Sequence, residues 1–146
     1  MDGVHADLAS LESFIRSRDN LAVQSDLSIE AADASMLTED PVNAIRTFLR
    51  SDEIDLFILA YCGSATSNGG WCFSSEIISF DAVLSMWQQA RAQASNTEAR
   101  LLIIIDSPHS GSWVDLLNGV PPAAAFAAGV MIQASCAASG TSWSAG

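Results

Sequence analysis

A chain of 146 residues and 15.4 kDa has room for one domain with a single core and is too short for two ordinary ones. Apolar residues make up 49% and charged residues 16%, with mean hydropathy +0.26, a balance that rules out a disordered or solvating acidic segment. Six arginines, scattered and without a single lysine, face 17 acids for a net charge of -11; the concentrated basic surface that a nucleic acid or an anionic membrane requires is missing.

Val4, Leu8, Leu11 and Ile15 fall at helical spacing with Phe14 beside them, so the opening segment is expected to form an amphipathic helix against a sheet. Leu21 to Ile29 alternates loosely, as a short strand would. Asp40-Pro41 marks a helix start, because Asp40 can cap free N–H groups and proline suits the first helical position. Val42, Ile45, Phe48 and Leu49 supply the buried face of that helix. Ile54 to Tyr61 is a near-continuous apolar run, expected to be a strand covered on both faces.

Trp71-Cys72-Phe73 and Ile77-Ile78 flank Ser74-Ser75-Glu76 and predict a small hairpin beside the main sheet. Phe80, Val83, Leu84, Trp87 and Ala90 then recur at helical spacing through Ala94. Arg100 to Asp106 is the strongest strand pattern in the chain. A short helix is expected over His109 to Leu117, stopped by Pro121-Pro122, before a further apolar run at Val130 to Ala134.

No apolar run approaches the roughly 20 residues needed to span a bilayer. The Met-Asp-Gly opening lacks the basic and apolar regions of a secretory signal, so a cytoplasmic protein is expected. Cys62, Cys72 and Cys136 contain no CxxC pair, which argues against a disulfide framework or a zinc site. No metal and no cofactor is expected. Helices alternating with buried β-branched strands indicate an α/β sandwich with a largely parallel sheet, whose chemistry belongs beyond the carboxyl ends of the strands. Two such ends stand out: Tyr61-Cys62-Gly63-Ser64-Ala65 and Asp106-Ser107-Pro108-His109-Ser110-Gly111.

These two strand ends, separated by a helix, resemble the paired motifs of the caspase-like cysteine peptidases, and are closer to the metacaspase and paracaspase branch than to the animal caspases. The resemblance covers most of the chain and extends to Val130-Met131-Ile132-Gln133-Ala134-Ser135-Cys136 as the next core strand. It implies one caspase-like domain over residues 1–146, a three-layer α/β/α sandwich with a mostly parallel sheet, short of the family's first and last strands. In the family the first motif supplies a catalytic histidine, where this chain has Ser64, followed by Ala65 in place of glycine. The second supplies a nucleophilic cysteine, where this chain has Pro108.

Peptide cleavage by this route needs a thiolate to attack the carbonyl and an imidazole to move protons. Proline offers no nucleophile, and it lacks the backbone N–H that in this family helps hold the oxyanion. Asp106 matches the family aspartate that selects basic side chains; it can hold an arginine or lysine of a bound peptide, or be a solvated aspartate at a strand end. The resemblance therefore implies a pseudopeptidase that binds a protein or peptide, its partner being a competent relative or a second copy joined through sheet edges.

The competing reading is an active cysteine endopeptidase with an exchanged Cys62/His109 dyad, or one completed by a partner chain. Against it, the family often carries a small residue and a histidine at these positions without using either. Ser107 and Ser110 have no base apart from His109 and no residue to orient it. Cys72 and Cys136 are expected to pack, as is Trp87, whereas Trp113 and Trp143 can be packing or cleft rim. His5 is expected at the surface. A third reading is a degenerate fragment that folds poorly; a cooperative thermal transition argues against it. The missing strand is supplied by Leu21 to Ile29, by a partner chain, or by self-pairing, because an open edge invites association.

Overall fold

The computed structural model describes residues 9–11, 13–18, 40–73, 76–121, 124 and 129–140. Leu21 to Ile29, His5 and Trp143 lie outside them. Described residues of the opening segment between 9 and 16 are helical, as its periodicity predicts.

Helix α1, Pro41–Leu49, begins where Asp40-Pro41 says it should. Asp40 Oδ1 accepts from the N–H groups of Val42 at 2.9 Å and Asn43 at 3.3 Å, satisfying donors that the first turn leaves without partners. Strand β1, Leu56–Cys62, leads to a short antiparallel pair, β2 (Trp71–Cys72) and β3 (Ile77–Ile78), the expected hairpin. Helix α2 spans Phe80–Gln93, with the Ser79 side chain accepting from Ala82 N–H. Strand β4 is Arg100–Asp106, helix α3 is Gly111–Gly119 and strand β5 is Val130–Ala134.

Strands β1, β4 and β5 form a parallel sheet in that order, so the protein is mixed α/β. Strand β4, with its run of Leu101 to Ile105, takes the centre. In β1 the run is not covered on both faces as expected: Phe57 and Tyr61 are buried, while Leu56 is 40% exposed. Register explains the difference. Phe57 and Tyr61 sit beside Leu101 and Ile105 of β4, and Leu101 sits beside Val130 of β5, so all share one face of the pleat. Into that face pack Ile45 and Leu49 of α1, Val83 and Trp87 of α2, and Trp113 of α3. The alternate face carries Leu56, Ile58, Leu102, Ile104 and Met131, which are half-buried or exposed.

Phe57 meets Phe48 and Trp87 edge-on, with ring centroids 5.5 and 5.4 Å apart, which welds α1 and α2 to β1. At the other end, Tyr61, Trp71 and Trp113 stack in succession at 4.6 and 4.4 Å. Trp87 is core, as its spacing predicts, and Trp113 proves to be core as well, fully buried rather than at a rim.

An acidic contact joins the β3 side of the hairpin to the start of α1. The Glu76 carboxyl is held above the usual carboxylate range, first by burial and then by a hydrogen bond to Asp40 and that group's negative charge, with the Val42 N–H pulling the other way. An acid whose native pKa is raised destabilises the fold once it ionises, and the penalty is absent below its unfolded pKa. Glu76→Gln is therefore expected to raise the melting temperature near neutral pH. In paired thermal scans the gain should vanish when both carboxylates are protonated in native and unfolded chains alike.

Candidate functional site

Parallel pairing of β1 with β4 in register sets Cys62 beside Asp106, and the two strands release their loops side by side. The Gly63 N–H donates to the Asp106 carbonyl at 3.2 Å, continuing the ladder one step past β1. The sequence motifs thus converge at the carboxyl end of the sheet, where an α/β fold places its chemistry.

The first loop is held by its own backbone. Tyr61 Oη donates to the Ser64 carbonyl at 2.6 Å, and the Cys72 N–H donates to the same oxygen at 3.0 Å, tying the loop to β2. The Ser64 side chain is exposed. Farther on, Gly69 adopts φ +79°, a left-handed conformation that favours glycine, and a Cβ there would lie 2.9 Å from the Trp113 ring. Trp113 Nε1 donates to the Gly69 carbonyl at 2.7 Å, so the loop after β1 is fastened to the helix after β4.

The second loop departs from the expected helix. Helix α3 starts at Gly111, not His109, because His109 takes φ +58°, which no right-handed helix contains. The turn is fixed from outside: the His109 N–H donates to the Gly140 carbonyl, and Nδ1 donates to the Ala138 carbonyl, each at 2.9 Å. Gly111 lets residues 136–138 pass against the helix start, since a Cβ there would come within 2.5 Å of the Ala138 nitrogen. Pro108 is half-buried in this turn.

The structure thus brings Cys62, Ser64, Asp106, Pro108 and His109 to one end of the sheet. Cys62 Sγ donates to Asp106 Oδ2 at 3.9 Å, while the His109 ring is engaged by Ala138. Ser107 and Ser110 are fully buried. Asp106 is exposed at the end of β4.

Cys136 is the residue that sequence reasoning misplaced. Expected to be buried after a core strand, it lies half-buried beyond the end of β5, because the chain turns at Ser135 and crosses the start of α3. Its Sγ is 3.4 Å from Ser110 Oγ, and its N–H donates to the same oxygen at 3.2 Å. Burial opposes ionisation of this thiol most strongly of any single influence. Hydrogen bonds from the Ser110 hydroxyl and from the N–H groups of Ser110, His109 and Gly111 together outweigh it, and the thiol is held below the ordinary value. Near neutral pH, Cys136 is expected to react with iodoacetamide before Cys72, and Ser110→Ala to slow it; peptide mapping by mass spectrometry checks both. The signal available in sequence was the small pair Ser110-Gly111 opening a helix, but only the β4–β5 pairing reveals what faces it.

The arrangement defines a mixed α/β protein whose two strand-end loops leave the same end of a parallel sheet, with Asp106 exposed beside them. No family model, curated protein or solved structure matches this chain. Among the described residues no cluster of His, Cys, Asp and Glu could hold a metal ion, and no helix is long and apolar enough to cross a membrane.

Proposed function

We propose that this chain is a catalytically inactive caspase-like pseudopeptidase, one domain over residues 1–146 of a three-layer sandwich, acting in the cytoplasm by binding a protein or peptide. One observation carries the reading. The in-register β1–β4 pair delivers Ser64 and Pro108 to adjoining loops while leaving Asp106 exposed between them. A serine hydroxyl is a poor proton acceptor and a proline ring has no nucleophile, so the cleft can hold a peptide without cutting it.

Asp106 is the residue expected to do the holding, through a charge-assisted hydrogen bond to an arginine or lysine of the bound segment. Partners of this kind include a competent caspase-like relative or the peptide it would cleave. Association through sheet edges belongs to the same proposal: β1 and β5 border the sheet among the described residues. The exchanged dyad of Cys62 and His109 is the lesser reading, since the His109 ring is engaged by the Ala138 carbonyl.

The test is a titration of an arginine-containing peptide, read by fluorescence polarisation, against the full chain and its Asp106→Asn variant. Loss of that one charge is expected to weaken binding on the order of tenfold, about 1.4 kcal/mol. Unchanged affinity in the variant would remove Asp106 from the proposal.

A further inference from the structure

A second surface lies between the start of α2 and the outer face of α3, and reaches Asn68 of the loop after β1. It is an open groove of about 620 Å³ whose walls are predominantly apolar. Phe80 forms part of its wall and Val120 closes one end. On α3, Asp115, Leu116 and Gly119 recur at the spacing that places them on one face, while Trp113 turns into the core. Asp81, in the first turn of α2, stands on the other side.

Three features of this groove fit an occupant better than ordinary surface. Leu116 is 47% exposed, a large apolar side chain offered to solvent beside the apolar wall. Asp81 and Asp115 are exposed, and among the described residues neither has an ion-pair partner, while no basic residue lines the groove. Gly119 has no conformational reason to be glycine: its φ is not left-handed, and a Cβ built on it meets nothing within 4 Å. Gly119 is the last residue of α3, and the missing Cβ leaves open space at this end of the groove.

We infer that this groove is a docking site for a peptide segment of a protein partner in which an apolar side chain is flanked by arginine or lysine. The apolar anchor would lie over Phe80 and Leu116 in the room left by Gly119, and the flanking cations would meet Asp81 and Asp115. Charge complementarity selects this occupant. The chain carries a net charge of -11, and the groove adds two carboxylates without a compensating base. A second copy of so acidic a chain would bring like charge to the same place. The inference goes beyond the strand-end reading and does not rest on it.

The test uses the full chain carrying Asp106→Asn, so that the strand-end carboxylate does not compete, and a fluorescent peptide with one leucine flanked by arginines, beside a version with serine for the leucine and one with glutamates for the arginines. The parent peptide should bind, and both altered peptides should bind on the order of tenfold more weakly or worse. Gly119→Phe, which leaves net charge untouched, should abolish binding by filling the groove, and Asp81→Asn with Asp115→Asn should weaken it and flatten its salt dependence. Glu53→Gln with Glu98→Gln, the same two-charge change at exposed positions elsewhere, should have no effect. Circular dichroism establishes that each variant is folded. Equal binding of the serine peptide, or full binding by folded Gly119→Phe, would reduce the interaction to general charge attraction and overturn the proposal. Absence of binding to this Asp106→Asn chain would assign the peptide to the strand-end loops and overturn it equally.

Discussion

Trp113→Ala is expected to cost about 3–5 kcal/mol of stability, the range for removing a fully buried large aromatic side chain. The ring is completely enclosed, stacked on Trp71 at 4.4 Å and met edge-on by Phe80 at 5.5 Å. Two losses coincide. The cavity left behind cannot be filled by Trp71, which is already stacked on Tyr61. The Gly69 carbonyl loses the indole N–H that fastens the loop after β1, which presents Ser64, to α3. In a domain of this size the melting temperature should fall by roughly 10 °C or more, and a calorimetric scan measures it. Trp113→Phe should recover most of the packing but not the hydrogen bond, falling between the two.

Arg91→Ala is the second large effect, expected at about 3–5 kcal/mol because it strips partners from buried carbonyls. Arg91 is only 9% exposed, on the last turn of α2, and its guanidinium lies 4.8 Å from the ring centres of both Phe57 and Trp87. It donates to the carbonyls of Leu49 at 2.7 Å, Ser51 at 3.2 Å and Asn96 at 3.1 Å. Leu49 and Ser51 sit where α1 gives way to β1, so one side chain closes the end of α1, caps the loop after it and lies against the core. Burial pulls the guanidinium below its ordinary pKa and the Asp52 charge opposes that, so the group stays ionised at any working pH. Arg91→Lys keeps the charge and loses the planar fork; it should recover less than half of the lost stability in urea unfolding.

Local signals carried far where the chain's own neighbours decide the structure. Asp40-Pro41 identified a helix start because capping uses residues two and three positions on. Arg100 to Asp106 and Val130 to Ala134 match β4 and β5 at both ends, since β-branched residues bounded by polar ones leave few alternatives. The two strand-end motifs were legible as neighbours for the same reason: a helix between two strands implies a parallel crossover.

What stayed hidden depends on contacts across the fold. An arginine near a helix C-terminus reads as a solvated charge, and nothing local reveals that its partners are 40 or more positions earlier. His109 reads as the start of a helix, yet the carbonyls of Ala138 and Gly140 hold it in a left-handed turn. Cys136 reads as core because it follows a strand, and becomes half-exposed because β5 ends before it. Sharing of one apolar face by β1, β4 and β5 required the register, which periodicity in a single strand cannot supply.

The central claim is that the strand-end cleft holds a basic peptide segment without cleaving it. The most direct measurement incubates the purified chain with an arginine-containing peptide at a concentration that occupies the Asp106 site and follows the peptide by mass spectrometry. The peptide should be recovered intact, with binding that depends on Asp106. Cleavage beside the arginine that disappears in Cys62→Ala and survives in Cys72→Ala would contradict the account and establish a working thiol at the end of β1.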